Sequence, residues 1–208
     1  KFYDSLATKR PDILIANSQN IQQKIKNIYN LDSRVVYPFA DDRYFKKRII
    51  AKIPNQYVIV SRLEKWKRID YAIQAFNNLP DKKLIIIGTG SDMSRLKKIA
   101  AGNVIFTGWV NDSKVVDIVS RSQAMIMPQD EDFGITSVES QALFTPVIAL
   151  DSGGAKETVI KGETGILYEK QTPQSLINAI KVFEKKGFKA DKLYQNALKY
   201  RQSQFIQN

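Results

Sequence analysis

YVIVSRLEKWKRIDYAIQAFNNLPDKKLIIIGTG, residues 57–90, decides the fold. It holds two short apolar runs, 57–60 and 84–87, β-branched at consecutive rather than alternate positions. That pattern fits strands covered on both faces, as in a parallel sheet. Between them Ile69, Ala72, Ile73 and Phe76 recur at helical spacing, which predicts a helix over 67–77.

Working outward, the same alternation continues. Strand-like runs stand at 13–16 (ILIA), 35–37, 104–106, 124–127 (AMIM), 147–149 and 166–168. Helical stretches fall at 20–29, 93–101, 112–122, 136–143, 173–186 and 191–201. Ser18 and Asp92 are expected N-caps, and Pro173 suits a first helical turn. From 57 to 186, strand and helix alternate six times, which predicts a doubly wound, Rossmann-like α/β domain. We expect that domain over 57–187, a C-terminal helix over 188–208, and a linker over the basic, proline-containing 38–56. Residues 1–37 read as the tail of a preceding domain. The opening KFYDSLATKR has neither an initiator Met nor an apolar leader core, so we expect the chain to begin inside a longer protein. No apolar run reaches 18 residues, so no membrane-spanning helix is expected.

The 208 residues include no Cys and no His. Disulfide scaffolds, thiol nucleophiles, a Ser–His–Asp triad and His-ligated zinc are thereby excluded within this chain. The net charge is +11, and it is uneven. Residues 1–110 carry 20 cationic against 9 anionic side chains, while 111–208 carry 12 of each. A basic half suits an anionic partner: a phosphate-bearing small molecule, a nucleic acid or an anionic membrane surface.

In doubly wound sheets ligands sit beyond the carboxyl ends of the strands. After YVIV come Arg62 and Lys67, two cations able to clamp a diphosphate, or simply solvated charge. After LIII comes Gly88-x-Gly90, which lacks the third glycine of a dinucleotide fingerprint. Trp109, beside Gly108, either walls a base pocket or packs. After AMIM stands PQDEDFGITSVE, residues 128–139. Here Glu131 precedes a helix start and Glu139 lies on its second turn. The amides of Phe133, Gly134 and Ile135 then point out of a helix N-terminus, ready for an anion. Gly153-Gly154 allow close backbone approach or make a plain turn.

Glu-x7-Glu within EDFGITSVE, followed by QALFTPVIAL and SGGAKETV, resembles the retaining glycosyltransferases of family GT4, which have the GT-B architecture. SRLEKWKRIDYAIQAF, IIIGTGSDMSRLKKIA and VIFTGWVND match in order and spacing, so the resemblance covers about residues 10–185. RPDILIANS and VVYPFAD look most like bacterial O-antigen and exopolysaccharide mannosyltransferases. The resemblance implies that Arg62 and Lys67 bind a donor diphosphate and that Glu131 bonds sugar hydroxyls. The Phe133, Gly134 and Ile135 amides would meet sugar and phosphate, and Glu139 the ribose. Trp109 and Val110 would contact the base, with Lys114 near, and Gly90 would border the cleft. Glu131, Arg62 and Lys67 would carry catalysis. The family usually has Gly where Phe144 stands, and often where Arg68 stands.

The implied reaction moves a sugar, mannose from GDP-mannose, to a lipid-linked saccharide in cell-surface polysaccharide synthesis. It would run in the cytoplasm, peripherally at the inner membrane face, without cofactor or metal. Arg62, Lys67 and a helix N-terminus would stabilise the leaving diphosphate. The fragment would bind donor but be incomplete for catalysis. A UDP- or ADP-sugar enzyme stays open as an alternative, as does a basic nucleic-acid-binding module. A glycosidase pair of carboxylates is not supported beside these cations. The helix over 20–29, with Lys24 and Lys26, is a candidate contact with anionic lipid.

Overall fold

The computed structural model describes Thr8, residues 10–46 and residues 49–207. Parts of the expected tail (1–7 and 9), of the linker (47 and 48) and of the C-terminus (208) lie outside the described residues. Two short strands, β1 (Ile15–Ala16) and β2 (Arg34–Val35), pair in parallel around helix α1 (Gln19–Tyr29). The six-stranded sheet comprises β3 (Gln56–Val60), β4 (Lys83–Ile87), β5 (Val104–Gly108), β6 (Ala124–Met127), β7 (Val147–Leu150) and β8 (Gly165–Tyr168). All its pairings are parallel, in the order β5-β4-β3-β6-β7-β8. The order reverses between β3 and β6, which creates the crevice where such sheets bind ligands.

Helices cover both faces: α2 (Ile69–Asn77), α3 (Met93–Ile99), α4 (Asp112–Arg121), α5 (Ile135–Ala142), α6 (Ala155–Thr158), α7 (Pro173–Glu184), α8 (Ala190–Leu198) and α9 (Gln202–Gln207). On one face Tyr57, Ile59, Leu84, Ile86 and Ile126 meet Ile73 and Phe76 of α2 and Leu176 and Ile180 of α7. On the other, Val58, Met125, Met127, Val147 and Ala149 meet Val138 and Ala142 of α5. This double cover is why the strand sequences are continuously apolar. Truncating Ile73, fully buried between α2 and the sheet, costs about 2–5 kcal/mol by lost transfer and cavity formation.

Several boundaries differ from the sequence reading. The helix expected from 67 starts at Ile69, because Lys65–Lys67 form a 3₁₀ turn closed by Arg68 at φ 50°. Asp92 stands at a helix start but does not cap it; its carboxylate takes Arg95 Nε and Nη2 at 2.7 and 2.6 Å. Ser18 does cap α1, accepting from Ile21 N at 3.0 Å, and Thr172 caps α7 ahead of Pro173. The segment read as a linker is packed: Ala40, Tyr44 and Phe45 are buried, and Ala40 N donates to Tyr200 O. The expected C-terminal helix is two, α8 and α9, parted at Tyr200 and Arg201, where Arg201 bridges to Ala40.

Arg68 and Phe144, the two departures from the family's glycines, both have left-handed backbone, φ 50° and φ 57°. Glycine is the default there because a Cβ is disfavoured at positive φ. Side-chain contacts offset the strain. The Phe144 ring stacks on Tyr194 at 5.3 Å, and the Arg68 guanidinium lies 3.8 Å over Tyr71.

Candidate active site

The cleft at the switch point is assembled by two strand ends. β3 delivers Ser61 and Arg62; the 3₁₀ turn then brings Lys67 back over the crevice. β6 delivers the loop 128–133, and α5 begins immediately behind it. A cleft of about 500 Å³ results, lined among others by Arg62, Lys67, Glu131, Phe133, Gly134 and Ile135. Six of the sequence-predicted residues thus meet in one place. Lys67 and Glu131 are hydrogen-bonded there as an ion pair, and Gln129 Nε2 donates to Glu131 Oε1 at 2.7 Å. Lys67 Nζ lies 4.1 Å over the Trp66 ring. The amides of Phe133, Gly134 and Ile135 find no acceptor among the described residues. With α5 running away from them, they present a positive pole to the cleft.

The run of three acids is divided by direction. Glu131 faces Lys67. Asp130 and Asp132 turn outward to Lys24 of α1, at 3.8 and 3.3 Å, and Ser152 Oγ donates to Asp130 at 2.9 Å. Of the two cations named for a lipid contact, Lys24 pairs with Asp130 and Asp132, and Lys26 with Asp32 at 2.9 Å, all at the surface. The Glu131 loop also rests on Gly153 and Gly154. A Cβ on Gly153 would lie 2.1 Å from Glu131 O, and Gly154 N donates to the same oxygen at 2.7 Å. These glycines admit the protein's own backbone. The same holds for Gly88 and Gly90, whose Cβ positions fall 1.9 and 2.4 Å from the carbonyls of Ser61 and Leu63. Gly90 packs against the Leu63 backbone and is not among the residues that line this cleft.

The remaining predicted residues lie apart from the cleft lining. Val110 and Lys114 border a second concavity of about 490 Å³ with Asn111, Ser113 and Asp117. Lys114 is paired there with Asp117 at 3.4 Å, and Trp109 is 78% exposed. Glu139 sits on α5 near the 3₁₀ turn Asp42–Phe45 (η1). Burial pushes its carboxyl up to about 7, partly opposed by the Arg43 charge. Arg43 in turn bonds Asp112 at the start of α4, so it links the Glu139 region to the second concavity. Arg43, Asn17, Phe39 and Thr136 were not singled out from sequence. Asn17, which follows ILIA, was open to the strand-end rule. The role of Arg43 depends on packing alone. Among the described residues, no group of three or more Asp, Glu, His or Cys side chains is arranged to hold a metal ion. Among them, too, no helix is long and apolar enough to cross a membrane.

Residues 40–200 match the family described as Glycosyl transferases group 1. The chain belongs to that family. This group 1 glycosyltransferase chain is 31% identical to an uncharacterized glycosyltransferase of Methanocaldococcus jannaschii, across 86% of this chain and 52% of the relative. It spans about half the length of the curated relatives it matches. Its fold superposes on the lipopolysaccharide outer core galactosyltransferase WaaB with a TM-score of 0.79, at 20% identity, over 94% of this chain and 60% of WaaB. It also matches Anabaena HepE in complex with UDP, with a TM-score of 0.80 at 22% identity, over 97% of this chain and 63% of HepE. The doubly wound fold expected from sequence thus matches that of GT-B glycosyltransferases.

Proposed function

We propose that this chain is the donor-binding half of a retaining glycosyltransferase of family GT4. The observation carrying the reading is the meeting of Arg62, Lys67, Glu131 and the open amides of residues 133–135 in one cleft. Arg62 and Lys67 hold the donor diphosphate and stabilise it as the glycosidic bond breaks, with the α5 amides adding to the positive field. Loss of one such donor group costs on the order of 10²–10³ in rate. Glu131 orients the sugar through its hydroxyls, Glu139 binds the ribose, and Trp109, Val110 and Lys114 serve the base. The acceptor attacks on the leaving-group face, so configuration is retained. No metal is needed for this chemistry, since cations and backbone amides take its place.

The motif resemblance favours GDP-mannose as donor and a lipid-linked saccharide as acceptor, at the inner face of the membrane. A UDP-sugar donor is the second reading, because HepE, which shares the fold, carries UDP. Acceptor binding and turnover require groups beyond those in this chain. Calorimetric titration with GDP, UDP, ADP and GDP-mannose, beside Lys67→Ala and Glu139→Ala, tests the assignment. Selective GDP binding weakened by both substitutions supports it. UDP preference keeps the family and changes the donor, and absence of any nucleotide binding by the complete protein defeats the reading.

A further inference from the structure

Glu157 lies on the short helix α6, just after the glycines that cradle the Glu131 loop. Its carboxylate reaches 137 residues back along the chain. Gln19 N donates to Oε2 and Asn20 N to Oε1, each at 2.9 Å, and Tyr37 OH donates to Oε2 at 2.9 Å. Its backbone carbonyl accepts from Tyr200 OH at 3.0 Å. Ile21 N is taken by Ser18 Oγ, so the free amides of the first turn of α1 are divided between Ser18 and Glu157. A carboxylate suits this position. It accepts at both oxygens, and its charge complements the positive end of α1. A glutamine would turn an N–H₂ toward one of these donors.

The contacts close a circuit around Glu131. Ser18 Oγ donates to Asp132 O at 2.6 Å on one side of Glu131. On the other, Gly154 N, three residues before Glu157, donates to Glu131 O at 2.7 Å. The start of α1 and the start of α6 therefore grip the same loop, and Glu157 joins the two. Tyr37 reinforces the junction, with its ring 5.7 Å from that of Phe133.

We propose that Glu157 is a positioning residue: it clamps the N-terminus of α1 to the loop 130–133 and so sets the placement of Glu131 in the cleft. The inference rests on the reading of Glu131 as the sugar-binding carboxylate. A misplacement of about 1 Å at such a group can cost on the order of 10² in rate.

The test compares the complete wild-type protein with Glu157→Gln, Tyr37→Phe and Thr158→Val. Thr158 is the adjacent buried residue; its Oγ1 accepts from Ser137 Oγ at 2.7 Å and donates to Gly154 O at 3.1 Å, with no hydrogen bond to α1 or Tyr37 among the described residues. Measured are sugar transfer, nucleoside diphosphate affinity, melting temperature and amide exchange at Gln19 and Asn20. In Glu157→Gln, kcat is expected to fall roughly 10- to 100-fold. Nucleoside diphosphate affinity should stay within roughly threefold, and the two amides should exchange faster. Tyr37→Phe follows in the same direction with a smaller loss, and Thr158→Val lowers the melting temperature while keeping kcat. Wild-type kcat and exchange in Glu157→Gln overturn the clamp. So does an equal kcat loss in Thr158→Val. If wild type binds no nucleotide, the donor-site reading falls and the clamp with it; binding by wild type with an unaffected Glu157→Gln removes the clamp alone.

Discussion

Lys67 and Glu131 form an ion pair across the switch point of the sheet, with side chains only 12% and 17% exposed. On the proposed reading, the cation for the diphosphate and the carboxylate for the sugar are thus paired with one another. That reading predicts that a diphosphate reaching Lys67 competes with Glu131 and releases the carboxylate toward the sugar.

Two substitutions are expected to separate under titration with a nucleoside diphosphate. Lys67→Ala weakens binding roughly 10- to 100-fold, the worth of one charge-assisted hydrogen bond. Glu131→Ala leaves the affinity unchanged or tightens it a few-fold, while sugar transfer falls. Equal weakening by both would show that Glu131 does not compete for Lys67.

Glu139 makes stability depend on pH. Burial raises its carboxyl from the ordinary 4.5 to about 7, so the fold favours the protonated form. That contribution is full below about 4.5 and is lost as pH rises to about 7. Glu139→Gln removes the slope. Its stability relative to wild type should increase across this window, by on the order of 3 kcal/mol at most, and then level off. Denaturant unfolding of both proteins from pH 4.5 to 8 reads the difference, and a flat difference would contradict it.

Lys52 acts in the opposite range. Burial pushes its ammonium from the ordinary 10.5 down to about 7. Its Nζ donates to Ser120 O at 2.8 Å and Thr145 Oγ1 at 2.5 Å, both neutral acceptors. Above pH 7 the unfolded chain binds the extra proton, so wild-type stability rises from about 7 toward 10.5. Lys52→Met should therefore compare best with wild type at or below pH 7. That standing should decline by a few kcal/mol at higher pH. A pH-independent difference would mean that Lys52 stays charged in the fold.

Gly153→Ala is expected to lower the melting temperature and nucleotide affinity together. Its Cβ would meet Glu131 O at 2.1 Å, and its φ of 55° disfavours any side chain. Gly102→Ala is the control, since its Cβ would meet nothing within 4 Å and its φ is unstrained. Similar melting curves for the two variants would show that the loop contact is soft.

Much of the fold was legible because the strands of the six-stranded sheet are largely apolar on both faces and α2, α5 and α7 each bury an apolar stripe. The strand-end rule located Arg62, Lys67, Glu131 and residues 133–135 from their place after YVIV and AMIM. It left the glycines open: Gly88, Gly90, Gly153 and Gly154 announce a close approach, but a sequence does not say what approaches. It also left Lys24 free, because its partners Asp130 and Asp132 lie more than a hundred residues away.

The sequence by itself determined the order of strands and helices, the loops that carry chemistry and the charges on them, since these follow from local periodicity and residue type. The tertiary structure alone decided the pairings: Lys67 with Glu131, Asp132 with Lys24, Glu157 with the start of α1, and Arg43 beside Glu139. The reason is physical. Pattern records which face of an element is apolar, whereas the partner of a polar group is chosen by packing segments that are distant in the chain.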